Sequence, residues 1–248
     1  MKEQNQETGL IFRNAGDRGF IVEFGQKIDP DINKKVRAMT DVLNKNTPVG
    51  ITEIIPTYRS VLLVYDPVLT TPAKFTDVIK NMAVNFTNLE IESGSEIRSG
   101  SKIEHGTVVE IPVCYGGDFG PDIKNVEKAS GLDREEVIKL HSAPEYLIYM
   151  VGFTPGFPFL GGLNEKLFTP RLETPRMAVP KGSVGIANDQ TGMYPIQSPG
   201  GWQIIGRTSL NLFDPYRKNP FLYKAGDKIR FIPVSKEKFL QLQKKREA

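Results

Sequence analysis

The stretch Gly152–Leu163, GFTPGFPFLGGL, constrains this chain more than any other. It holds four glycines, two prolines, three phenylalanines and two leucines, and no charged side chain. Prolines and glycines at this spacing break a helix, and a proline inside a central strand removes a ladder hydrogen bond. A flexible linker does not carry so many large apolar groups. The expected structure is a rigid, apolar, folded loop with bare backbone amides. Such a loop is either one wall of a site or a tightly packed corner.

The bias extends beyond the loop. The 63 residues from Glu145 to Arg207 hold ten glycines and seven prolines, where ordinary usage gives about four and three. The segments PKGSVGIA (180–187) and QTGMYPIQSPGGWQIIGRT (190–208) share its character. Apolar walls and backbone amides with a few fixed polar groups are the makings of a small-molecule pocket. Arg176 and Lys181 are candidates for meeting an anionic ligand, with solvated surface cations as the plain alternative. Arg207 follows a strand and suits a bidentate contact with a carboxylate or phosphate, or else an internal salt bridge. His141, just before Pro144 at a helix end, is either an acid–base group or an imidazolium favoured by the helix dipole. Gln190, Gln197 and Gln203 supply amide donors and acceptors near the glycine-rich turns. The Gly200–Gly201 turn leads into Trp202, which either floors a pocket or sits in the core. The same choice holds for Phe153, Phe157 and Phe159.

Coarse periodicity divides the chain in two. Strands are expected at 10–14, 19–24, 51–56 and 60–65, the first two joined by Gly16–Gly19. Asp29 and Pro30 open a helix running to about residue 45, with Ile32, Val36, Met39 and Leu43 on one face. A second helix from about Pro72 to Phe86 aligns Phe75, Ile79, Met82 and Phe86. This makes an α+β unit over residues 1–90, followed by a Ser/Gly-rich linker at 91–105. In residues 106–248 a strand at Gly106–Tyr115 precedes helical segments at 121–130 and 133–142. Strands are then expected at 145–151, 181–187, 193–196, 202–207, 210–213 and 228–234, ending in a helix at 235–246 that turns Phe239 and Leu242 inward. Many short strands with Gly/Pro punctuation indicate a mainly-β barrel or sandwich rather than βα units.

Several function classes are excluded by what the sequence lacks. The net charge is only +3 and the lysines and arginines are dispersed, which argues against nucleic acid; the run Lys244–Arg246 reads as a solvated tail. No apolar run approaches the roughly 20 residues of a membrane span. Met1–Gly9 is polar and unlike a signal peptide, so a soluble cytoplasmic protein is expected. The single cysteine, Cys114, rules out an intrachain disulfide framework and, at the end of VEIPVC, reads as core packing rather than as a nucleophile. There is no Walker-type loop and no Gly-x-Ser-x-Gly elbow. Two histidines and one cysteine make a zinc site improbable, and no metal is expected.

The motifs EIPVCYGGDFGPDI (110–123), HSAPEYLIYMVGFTPGFPFLGGL (141–163), TPR (174–176) with PKGSVGIA, and QTGMYPIQSPGGWQIIGRT together resemble the 5-oxoprolinase B-subunit family. That family is also called allophanate hydrolase subunit 1 or the sporulation kinase A inhibitor family. The resemblance implies an α+β N-terminal domain followed by a cyclophilin-like β-barrel. It implies two partners, the C subunit (the allophanate hydrolase subunit 2 type) and the A subunit, in an assembly that opens 5-oxoproline to L-glutamate with ATP hydrolysis. This chain would then be inactive alone, with ATP used by the assembled complex. Related paired domains handle urea or allophanate as a carboxyltransferase, and some members bind and inhibit a sporulation histidine kinase, here through loop 153–163 with Phe157 as its aromatic anchor. Candidate catalytic residues are His141 and Arg207. Candidate substrate-binding residues are Phe157, Arg176, Lys181, Gln190, Gly200, Gly201 and Trp202, with Lys181, Gln190 and the SPGGW turn expected to face the loop across a cleft.

Overall fold

The computed structural model describes residues 2–4, 9–81 and 106–247. The chain divides into two compact units, Met1–Glu104 and His105–Ala248. In the first, β1 (Lys2–Gln4), β2 (Ile11–Ala15), β3 (Gly19–Glu23), β4 (Ile51–Pro56) and β5 (Ser60–Tyr65) form one antiparallel sheet in the order β1-β2-β3-β5-β4. Helix α1 (Pro30–Lys45) starts where the Asp29 carboxylate accepts from the amides of Asp31 and Ile32, and Pro30 occupies its first turn. The carboxylate satisfies amides that the helix itself leaves unpaired, and the proline brings no amide to satisfy. Helix α2 covers 72–81. Val36, Met39 and Leu43 of α1 and Phe75 and Ile79 of α2 pack into one core with Val22, Val61 and Leu63 of the sheet. The expected extension of α2 through Met82 and Phe86, and the linker at 91–105, lie outside the described residues.

The second unit is a closed barrel. Its strands are β6 (Val108–Tyr115), β7 (Tyr146–Val151), β8 (Pro158–Gly161), β10 (Ser183–Ala187), β11 (Gln190–Met193), β13 (Gln203–Arg207) and β14 (Lys228–Pro233), in the order β10-β11-β8-β7-β14-β6-β13. Strands β13 and β10 pair to complete the ring. All neighbours are antiparallel except β14 and β6, which run parallel from Lys228–Val108 to Pro233–Val113. Closure leaves these strands without free edges. Side chains that alternate inward, among them Ile111, Val113, Ile148, Leu160, Val184, Ile186, Ile205, Ile229 and Phe231, fill the interior. Helices α3 (Ile123–Ser130) and α4 (Arg134–Ser142) contribute Ile123, Val126 and Val137 to the same core. Beside the barrel, β9 (Arg176–Val179) and β12 (Ser198–Gly200) pair as a two-stranded ribbon, and α5 (Lys236–Glu247) closes the chain with Phe239 buried.

Three expectations change. The Gly152–Leu163 segment is a loop only in its first half, because Pro158–Gly161 is barrel strand β8. Pro158 is tolerated there as the strand's first residue, and β8 is short, meeting β11 at the single pair Thr191–Leu160. Residues 210–213 are not a strand; they contribute one isolated bridge, Phe213–Phe221. The strand expected at 193–196 instead ends at Met193. Cys114 is buried, and burial raises its thiol above the ordinary value, the opposite of what an activated nucleophile needs.

Candidate functional site: two clefts in the barrel unit

The first cleft is built on the Gly/Pro-rich loop. The amide of Thr154 donates to the carbonyl of Gly152 (2.8 Å) around Phe153, whose φ is +65°. This is a γ-turn of the rarer positive-φ hand, a strained conformation for a side chain as large as Phe. The amide of Phe157 returns to Thr154 (3.0 Å), and that of Gly152 donates to the Phe157 carbonyl (3.0 Å), so the loop is internally braced. Phe153 is left 73% exposed. Loop residues 152–156 form one wall of a cavity of about 470 Å³. Its other wall is Phe221, Tyr223, Lys224 and Ala225, not Lys181, Gln190 and the SPGGW turn. The Tyr223 hydroxyl ties the walls together by donating to the Gly156 carbonyl at 2.7 Å. Tyr223→Phe should lower stability by about 1 kcal/mol and increase amide exchange at 152–157, measurable by hydrogen–deuterium exchange.

Beneath the loop lies an aromatic block. Phe157 meets Tyr194 and Trp202 edge-on at 5.5 Å, and Phe159 at 5.1 Å. Phe157 is 2% exposed and Trp202 is buried, so both are packing residues behind the loop. The expectation of Phe157 as a surface anchor is therefore corrected: its exposed neighbour Phe153 occupies that position. Gly200 serves the same block, since a Cβ there would overlap the Tyr194 hydroxyl. Gly201 receives the Leu172 amide on its carbonyl at 2.7 Å, holding the turn to the preceding segment.

The second cleft, of about 320 Å³, opens between the Pro180–Lys181 turn, residues 207–210, Phe119 and helix α5. Lys181 is exposed. Arg207 is half-buried, and its guanidinium carbon lies 5.8 Å from the centre of the Phe119 ring. The Lys236 ammonium lies 6.0 Å from the same ring and pairs with Asp118 at 3.4 Å. Burial pulls the Arg207 guanidinium below its ordinary value. Among the described residues neither Arg207 nor Lys181 forms an ion pair, so the internal salt bridge that is the alternative for Arg207 is not made. Sequence reasoning missed Phe119 and the α5 residues of this wall, which only barrel closure brings beside Arg207.

Four polar candidates stand apart from both clefts. Arg176 donates to the Asp122 carboxylate at 2.6 Å, and the other oxygen of Asp122 accepts the Ile204 amide at 2.7 Å. Arg176 is therefore a structural clamp rather than a free surface cation. Gln203 is likewise engaged, accepting from Asn125 and donating to the Pro170 carbonyl, both at 2.9 Å. His141 is wholly buried. Its Nδ1 lies 2.8 Å from the Tyr115 hydroxyl and its Nε2 2.8 Å from Thr191 Oγ1. Thr191 donates its own proton to the Gly185 carbonyl at 3.0 Å. That choice makes Nε2–H the donor to Thr191 and Nδ1 the acceptor from Tyr115, a neutral tautomer with both nitrogens satisfied. Burial lowers the imidazole from 6.5 to about 3, so the expected helix-end imidazolium is corrected to a neutral core group. Gln190 sits half-buried at the start of β11 and lines neither cleft.

Residues 10–223 match the family described as carboxyltransferase domain, subdomain C and D. The B subunit of 5-oxoprolinase from Bacillus subtilis strain 168 is 39% identical over 230 residues, covering 90% of this chain and 92% of that protein. This chain belongs to the 5-oxoprolinase B-subunit family. A relative of the same name from Escherichia coli O157:H7 is 55% identical over 125 residues, half of this chain and 57% of that protein. The crystal structure of Kluyveromyces lactis urea carboxylase shares the fold, with a TM-score of 0.72 at 18% identity over 97% of this chain. This chain spans only 23% of that much longer protein. No described helix is long and apolar enough to cross a membrane, and no group of three or more metal-ligating side chains occurs among the described residues.

Proposed function

We propose that this protein is the B subunit of an ATP-dependent 5-oxoprolinase of the cytoplasm, opening 5-oxoproline to L-glutamate together with the A and C subunits. The observation that carries this reading is the similarity to the Bacillus subtilis 5-oxoprolinase B subunit over 90% of the chain. In domain terms, an α+β unit precedes a cyclophilin-like barrel. The chemistry agrees with a shared site. An unstrained lactam is a poor electrophile, and phosphorylating its oxygen activates the carbon for addition of water. The adduct then breaks the C–N bond, the ring nitrogen leaving as the protonated amine, and hydrolysis of the resulting acyl phosphate releases L-glutamate and phosphate. That path asks for cations and hydrogen-bond donors around the developing charge more than for a dedicated nucleophile. Lys181 and Arg207 are the ligand-facing cations in this reading. Phe157, Gly200 and Trp202 pack the aromatic block beneath the loop of the first cleft, Gly201 holds the turn beside it, Arg176 ties β9 to Asp122, and Gln190 is a peripheral amide. ATP enters as a co-substrate of the assembled complex. Purified alone, this chain should show no 5-oxoproline-dependent ATP hydrolysis, and adding the A and C subunits should restore glutamate formation. Silence of the complete mixture toward 5-oxoproline, with turnover of urea or allophanate in a parallel arm, would reassign the substrate. Silence toward all three would overturn the subunit role.

A further inference from the structure

The second cleft has an electrostatic demand that the protein itself does not meet. Its lining contains two cations, Arg207 and Lys181, and no carboxylate. Arg207 Nε is sealed from water without a hydrogen-bond partner, although a buried guanidinium ordinarily has acceptors on its donors. Two acids of the neighbouring segments have partners of their own: Asp118 pairs with Lys236, and the Glu237 carboxylate is held by Ser235. Directly across the β10–β13 ladder from Arg207 stands Ser183, so both side chains leave the sheet on the same face. The Ser183 hydroxyl is also buried without a partner. Two unanswered donors therefore leave one face of the paired strands, and Arg207 itself lines, with the exposed Lys181, a cavity sized for a small molecule.

We propose that this cleft binds an oxyanion, a carboxylate or a phosphoryl group, gripped by the Arg207 guanidinium and steered by Lys181. Arg207 offers a planar fork of donors matched to either group, while Lys181 supplies a mobile point charge at the mouth. The guanidinium lies over the Phe119 ring, a contact that favours its charged form beside the cavity. The inference rests on the subunit reading only for its choice of probes, the carboxylate of 5-oxoproline and the phosphate that ATP hydrolysis releases. Proton–nitrogen correlation spectra of the full-length chain, centred on the Arg207 Nε–H resonance, test it without partners or turnover. One arm is titrated with sodium 5-oxoprolinate and the other with sodium phosphate, at constant ionic strength. A saturable shift is expected in one arm, which identifies the source of the oxyanion. Arg207→Lys should weaken that binding by about tenfold or more, since charged hydrogen bonds of the fork are lost. Lys181→Gln, an exposed change that leaves the fold intact, should weaken it several-fold. Absence of a saturable shift in both arms overturns the proposal, as does wild-type affinity in both variants. Either negative result leaves the subunit role to be judged by reconstitution alone.

Discussion

Acidification from pH 7 to pH 3 should strip on the order of 4 kcal/mol or more from the stability of the barrel unit through one residue, His141. Folded, this imidazole is held neutral down to about pH 3; unfolded, it takes a proton near 6.5. Below 6.5 the unfolded chain therefore binds a proton that the folded chain refuses, and stability falls as pH falls. The loss accumulates across the window from about 6.5 to about 3 and levels off below it, at about 1.4 kcal/mol per pH unit within the window. Against a typical total of roughly 5–15 kcal/mol, this single group is enough to make the barrel acid-labile. Urea unfolding at a series of pH values checks the slope, and the His141 ring resonances check its cause. Titration of His141 near 6.5 in the folded protein would show that the buried network does not hold it neutral. His141→Gln should flatten the slope between pH 6 and 4 while lowering stability at pH 7, because Tyr115 and Thr191 would lose well-placed partners.

Asp122→Ala is the second large expectation. The Asp122 carboxylate is buried and anchors two elements at once, the Arg176 guanidinium of β9 and the Ile204 amide of β13. Removing one partner of a buried ion pair ordinarily costs about 3–5 kcal/mol because the other charge stays behind. The Arg176 side chain is 33% exposed, so water recovers part of its solvation and a loss of about 2–4 kcal/mol is expected. The orphaned Ile204 amide contributes within that range. Asp122→Asn retains an acceptor for Ile204 and should lose distinctly less. Thermal and denaturant unfolding of the two variants checks the order, and equal losses would show that the backbone contact, not the ion pair, dominates.

The parts of this structure that sequence reading reached are those governed by neighbours in the chain. Helix α1 is announced by Asp29-Pro30 and by Val36, Met39 and Leu43 at helical spacing; β4 and β5 by β-branched runs between turn residues. Strand β8 was not legible, because the rules that keep proline out of strands exempt the first position, and no local signal tells a first position from an interior one. The segment 210–213 failed in the opposite sense: its apolar character is real, but no strand lies beside it to pair with. The candidate site divides along the same line. Lys181 and Arg207 were recognisable as cations near glycine-rich turns, whereas their shared cleft exists because β10 and β13 close the barrel and α5 returns over it. Arg176 and Phe157 carried the same local signals, and the ion pair to Asp122 and the contacts with Tyr194 and Trp202 that fix their roles join residues far apart in sequence.

The parallel pairing of β6 with β14 has a bearing on how the protein is made. Strand β6 opens the barrel in sequence, yet its two ladder neighbours are β13 and β14, the last two strands of the barrel. During synthesis β6 must wait, its hydrogen-bonding edges open, until the other strands of the barrel have emerged. Such late, long-range closure is slow and leaves strand edges available to other nascent chains. Dependence on chaperones during translation, and aggregation of chains truncated before β14, follow from where the first strand sits in the ring.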